Sequence, residues 1–163
     1  QEEEFVDPMC KELDEFINGL LQKNLSVKRQ RRCFQIKNLI TDIERIGDLT
    51  EDIAEAAQKR IEDQIPFSKW ALADIQRLSQ HVHTTYTCAL NGLRDRDYEM
   101  ARHACEMEEE FDHLYHIARE DHIQRLEDGI CQAEAEVIFV ELLRNLERIS
   151  DHADNLGVSV SRT

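Results

Sequence analysis

Apolar residues recur along this chain at steps of three and four, the spacing that places side chains on one face of an α-helix. Five such stripes can be followed. The first covers residues 3–23, with Leu13, Phe16, Ile17 and Leu20 as its apolar face and Asn24 to close it. Ser26 then offers an N-cap for a second helix over 27–63, whose spine is Ile36, Leu39, Ile43, Ile46, Ile53 and Ala57. Pro66 cannot continue a helix, and Ser68 starts a third. That helix runs to residue 93 through Ala71, Ile75, Leu78, Val82, Ala89 and Leu93. The run Arg94-Asp95-Arg96-Asp97 makes a turn. A fourth helix, to residue 127, uses Ala104, Met107, Phe111, Leu114 and Ala118, and Gly129 ends it. The fifth, to residue 160, uses Val137, Val140, Leu143, Leu146, Ile149 and Leu156. Long helices joined by short loops pack side by side and antiparallel, so the pattern predicts an all-α antiparallel bundle of five helices.

Composition supports this reading. Of 163 residues, 6% are aromatic and 33% charged, with two prolines and five glycines, a balance that suits helices better than strands. No apolar run approaches the ~18 residues of a membrane span. Residues 1–9 are acidic, unlike a signal peptide. The start at Gln1 rather than Met leads us to expect a processed chain or a fragment. The net charge of −14 repels nucleic acid and anionic membrane surfaces, which are discounted as partners, and attracts cations or basic surfaces. The five cysteines, Cys10, Cys33, Cys88, Cys105 and Cys131, stand singly, which reads as buried, reduced thiols of a cytosolic compartment.

The charge is also patterned. Residues 42–53 and 145–156 carry the same acidic phrase, in which Glu44 matches Glu147, Arg45 matches Arg148, Asp48 matches Asp151, and Asp52 matches Asn155. Acids four apart lie one above the other on a helix, and each like-charged pair costs roughly 0.2–0.5 kcal/mol. Two readings stay open for such rows. They are ligands for a cation, or a solvated face tied down by Arg45–Asp48 and Arg148–Asp151 pairs. Upstream, Glu12-Leu13-Asp14 resembles Glu110-Phe111-Asp112. The first and second helices therefore correspond to the fourth and fifth. The third has no counterpart, so the chain divides into a two-helix partial unit over 1–64 and a complete three-helix unit over 65–163.

The paired Glu-Arg-x-x-Asp-x-x-x-(Asp/Asn) motifs resemble the PhoU-like family. The resemblance implies tandem three-helix units, here with the first helix of the first unit absent. It implies a regulator of phosphate transport and not an enzyme. We expect the cytosolic domain of a sodium/phosphate cotransporter, at the cytosolic face of the inner membrane; the alternative is a free-standing phosphate-uptake regulator. The implied partners are a phosphate transporter's membrane domain or phosphate-signalling proteins, with room for a homo-oligomer. The resemblance further implies metal clusters, of Fe, Zn, Mn or Mg. The ligands carried over are Glu108, Asp112, Glu147 and Asp151 in the second unit, and Asp14, Glu44, Asp48 and Asp52 in the first. Cys10 stands where Glu108 has its match, which weakens the first set.

Other features are read more plainly. Glu110 and His113 form one Glu-x-x-His, the signature of di-metal carboxylate bundles in storage or oxidase proteins, but no second copy is placed to complete it. His81, His83, His103, His116 and His122 are read as surface residues, with His116 able to extend the Glu108–Asp112 row, and Trp70 as a packing residue. No glycine-rich phosphate loop or nucleophile arrangement is present.

Overall fold

The structure, a computed structural model, describes residues 3–161. It contains five helices: α1 (Glu3–Leu21), α2 (Val27–Glu62), α3 (Lys69–Asp95), α4 (Tyr98–Glu127) and α5 (Ala133–Ser161). The joints follow local chemistry. Ser68 caps α3 by accepting from the Ala71 amide, and Asp97 caps α4 by accepting from the Glu99 and Met100 amides. Ser26 occupies the N-cap of α2 without making a side-chain cap bond. Arg96 takes the left-handed conformation (φ 55°) that lets α3 reverse into α4 within two residues, and Gly129 (φ 70°) takes it in the longer, five-residue connection from α4 to α5.

The main core joins α2, α3, α4 and α5. Phe111, Phe139, Leu49, Leu78, Leu143 and Leu156 are its fully buried large side chains. α5 is the central element, packed on α2, α3 and α4. α2 and α5, the two helices that carry the repeated phrase, pack against each other. Asp42 meets His152 and Asn155, while Ala56 packs with Ile138 and Leu142, so the two run antiparallel. Among the described residues α1 packs only on α2, through a separate small cluster of Cys10, Ile17, Cys33 and Ile40 with Val6, Leu20 and Leu21.

Five helices in the expected places, all antiparallel to their sequence neighbours, confirm the fold class. Several side-chain expectations are corrected. Leu13 and Phe16 are 47% and 65% exposed, because nothing covers the side of α1 that faces away from α2. Val137 is 69% exposed for the same reason at the start of α5. Leu49, absent from the expected spine, is almost wholly buried, since α2 has two packing faces: one for α1 and one for α5. Trp70 is half exposed and takes the Lys69 ammonium over its ring. His122 is not a surface residue. It is 2% exposed, stacked on Phe139 at 4.0 Å between ring centroids, with neither ring nitrogen hydrogen-bonded. His81 is half-buried and bonds the Met107 carbonyl oxygen. His83, His103 and His116 are exposed, as expected. All five thiols are free; Cys10 and Cys33 are buried, and the other three lie at the boundary.

Candidate functional site

The seam between α4 and α5 is closed by small residues. Gly157 of α5 comes against the Ala101 backbone, and the Gly92 of α3 does so from the other side. A β-carbon at either glycine would lie 2.9 Å from a backbone atom of Ala101. This close approach fixes the register of two antiparallel helices. Ala101 falls level with Gly157, and Cys105 lies near enough to Asp154 for its thiol to feel that carboxylate. With one helical turn per rung, Glu108 falls level with Asp151 and Asp112 with Glu147. The sequence pattern thus becomes a ladder, with acids from both helices along one seam.

The electrostatics bear out that closeness. Loss of hydration and the charges of Asp112, Asp154, Asp151 and Glu109 push the Glu108 carboxyl up to about 7. Desolvation, then Asp151 and Asp112, raise Glu147, opposed by Arg144 and His116. Asp151 is raised by desolvation and Asp112, opposed by His152. Burial, then the neighbouring carboxylates of Asp154 and Glu108, push the Cys105 thiol up to about 12. Burial first, and neighbouring acids second, thus make these carboxyls hold their protons more tightly than solvated acids do.

The four predicted residues of the second unit therefore share one face, and a fifth acid, Asp154, joins them. Sequence reasoning followed the four-residue step from Asp151 to Asn155, which instead donates to Asp42 of α2 at 3.2 Å. Asp154 could have been found by the three-residue step, which stays on the same face. The fit to a metal is incomplete: no group of three or more His, Cys, Asp or Glu among the described residues is arranged to hold a metal ion. The acids repel along a ladder and do not converge on one point.

The acids of α1 and α2 are arranged differently. Asp14 forms an ion pair with Lys37 at 2.9 Å and accepts a hydrogen bond from Asn18 at 2.8 Å, so Lys37 holds its carboxyl below the usual range. By the repeat, Lys37 corresponds to Val140 and Asn18 to His116. The second unit lacks the lysine. Asp48 pairs with Arg45 at 3.2 Å, the ion pair expected from sequence; the matching Arg148–Asp151 pair is not formed. Asp48 and Asp52 line an open cleft of about 390 Å³ with Arg45, Glu51 and Arg148. Burial, then the charges of Glu44 and Asp7, raise the Cys10 thiol. Asp14 is thus held in an ion pair, while Asp48 and Asp52 lie along a cleft. Glu110 and His113 are both exposed, which removes support from the di-metal oxidase reading.

Comparison with known proteins places these features in context. The PhoU domain family matches residues 75–160. A phosphate-specific transport system accessory protein PhoU homolog 1 of Thermotoga maritima is 25% identical over 157 residues, covering 96% of this chain and 67% of the relative. The PhoU homolog of Deinococcus radiodurans is 33% identical over 127 residues, covering 74% of this chain and 55% of the relative. The crystal structure of PhoU from Pseudomonas aeruginosa superposes with a TM-score of 0.85 at 24% identity, over 97% of this chain and 75% of that one, a likeness of fold.

Proposed function

Because the chain belongs to the PhoU domain family, we propose that it is a regulatory, non-enzymatic component of phosphate transport, of the accessory-protein kind. The relatives quoted carry that name, and none of them is a cotransporter domain, so they favour the free-standing reading over the sodium/phosphate cotransporter. The observation that carries the proposal is the family match across α3, α4 and α5, which takes in the second acidic phrase. Its working partners would be the proteins of a phosphate transport system at the cytosolic face of the membrane. No helix among the described residues is long and apolar enough to cross a membrane itself. Phosphate uptake in bacterial cells lacking their own accessory protein tests this. Expression of the chain should change uptake at high external phosphate; unchanged uptake counts against the role.

We read residues 1–64 as a partial unit and 65–163 as a complete one. The support is internal. Met9, Leu13 and Phe16 of α1 correspond to Met107, Phe111 and Leu114 of α4. Phe111 is buried and Met107 and Leu114 partly so, with α3 packed along α4, whereas no counterpart of α3 covers α1 among the described residues.

For metal, the second unit is the better candidate. Glu108, Asp112, Glu147, Asp151 and Asp154 have no lysine like Lys37 among them. A hard or borderline cation such as Mg, Mn, Fe or Zn would have to draw these side chains together, supplying the positive charge that the seam lacks. Elemental analysis after exposure to each metal compares the wild type with Glu147→Gln/Asp151→Asn. Equal uptake by the two would end the metal reading and leave the ladder as a repulsive surface feature.

A further inference from the structure

The charge of the chain is strongly polarised. Residues 16–41 contain no Asp or Glu and six basic residues: Lys23, Lys28, Arg29, Arg31, Arg32 and Lys37. Against a total of −14, this stretch is +6 and the rest of the chain is −20. Lys37 is engaged by Asp14, but Lys28, Arg29 and Arg31 are exposed and form no ion pair among the described residues. They lie in the first two turns of α2, where no acid occupies the first turn. Positive side chains at the positive end of a helix dipole cost stability, about 0.3–1 kcal/mol each at low salt. The helix gains nothing from this arrangement by itself.

The tertiary structure isolates this tip. Asp42 is level with His152 and Asn155 of α5, so in antiparallel register α5 ends near the level of residue 35. The first two turns of α2 reach past it. A small groove lined by Arg32, Leu93, Arg96, Tyr98 and Val160 puts the α3–α4 turn at the same end. The acids of that turn are occupied: Asp95 pairs with Arg94, Asp97 caps α4, and Glu99 pairs with Arg102. By the same register Asp154, the nearest acid of the ladder, lies roughly 18 Å farther along the bundle axis, at 1.5 Å per residue. That is about two Debye lengths at physiological ionic strength, so screening weakens its repulsion at the tip.

Apolar side chains accompany the basic ones. Val27 and Phe34 are 65% and 57% exposed, and with Arg31 between them they follow steps of four and three along one outward face. Basic residues interleaved with exposed apolar ones on a helix suit the interface of an anionic bilayer, where phosphates meet the cations and the apolar groups enter the headgroup region. We propose that the α1–α2 end of the bundle docks to an anionic membrane surface through the outward face of the first two turns of α2, with Lys28, Arg29 and Arg31 on the phosphates and Val27 and Phe34 inserting. The net charge of −14 argues against membrane contact only while it is treated as spread evenly over the chain.

Co-sedimentation of the whole chain with vesicles tests the proposal. The vesicles are phosphatidylglycerol and phosphatidylcholine in equal parts, or phosphatidylcholine alone. Binding to the anionic vesicles alone, weakening with added salt, is expected. Lys28→Gln/Arg29→Gln/Arg31→Gln should reduce that binding by roughly tenfold or more while keeping its helical content. Lys59→Gln/Lys69→Gln, at the other end of the bundle, should bind like the wild type. Equal binding to both vesicle types, or equal loss in the two variants, overturns the proposal. So does capture of a polyglutamate peptide without vesicle binding, which assigns the tip to an acidic protein segment, and so does binding of free phosphate alone.

Discussion

At the scale of single residues, Glu108 departs far from its solution chemistry. Its carboxyl rises from an ordinary 4.5 to about 7, through loss of hydration and then its acidic neighbours. A carboxyl that holds its proton more tightly when folded stabilises the fold at low pH. That contribution is full below 4.5 and is lost as pH rises through about 7. Glu108→Gln should therefore melt like the wild type at about pH 4 and higher than it at about pH 8 without added metal. A gap of the same size at both values would show that charge at Glu108 is not the cause. Cys105 feels the same field. With its thiol pushed up to about 12, it should be the last of the three boundary cysteines to react with iodoacetamide at about pH 8. Mass mapping of a partial labelling reads the order; early labelling of Cys105 would mean the seam opens readily. Such acids can be located from a list of residues, but their shifts cannot, because each shift depends on the opposite helix.

At the scale of elements, glycine shows how position decides the effect of one methyl group. Gly157 and Gly92 let α5 and α3 close on Ala101 of α4. Gly157→Ala would press a β-carbon against backbone that cannot turn aside, and should destabilise by about 1–3 kcal/mol, the usual cost of overpacking. Gly19, in α1, has open space where its β-carbon would go. Gly19→Ala should stabilise by up to about 1 kcal/mol through helix propensity alone. Urea titration of both variants measures the contrast, and two changes of the same sign would contradict the packing described. The helices themselves were legible in sequence, with ends within two residues of those expected, because periodicity, Pro66, Ser68 and Gly129 act locally. The stripe on α1 was legible only in part. Ile17 is buried as expected, but Leu13 and Phe16 are not, since an apolar helix face states what could be covered and not what is.

At the scale of the whole molecule, the bundle has two parts of unequal cohesion. α2 to α5 share one core, whereas among the described residues α1 is attached to α2 alone. Leu49→Ala, within the α2–α5 packing, should lower global stability by about 2–5 kcal/mol. Ile17→Ala should loosen α1 while leaving the rest close to unchanged. Hydrogen exchange resolves the two cases: faster exchange confined to α1 amides is expected for Ile17→Ala. Exchange rising equally in α5 would make the whole chain a single cooperative unit. The acids are arranged differently in the two parts. Those along the α4–α5 seam form a ladder, and those on α1 and α2 are dispersed.

The sequence by itself determined the five helices, their joints, the repeated acidic phrase and the family that phrase points to. These rest on interactions among residues a few positions apart: caps, helical periodicity and breakers. Only the tertiary structure decided that Asp14 is answered by Lys37 while Asp112 and Glu147 have no such partner, and that Asp154 rather than Asn155 completes the ladder. It also buried His122 and Leu49, exposed Val137, and set the basic start of α2 beyond the end of α5. Those outcomes depend on which distant helix lies alongside and in what register, and a charge or an apolar face has its energy set by that neighbour.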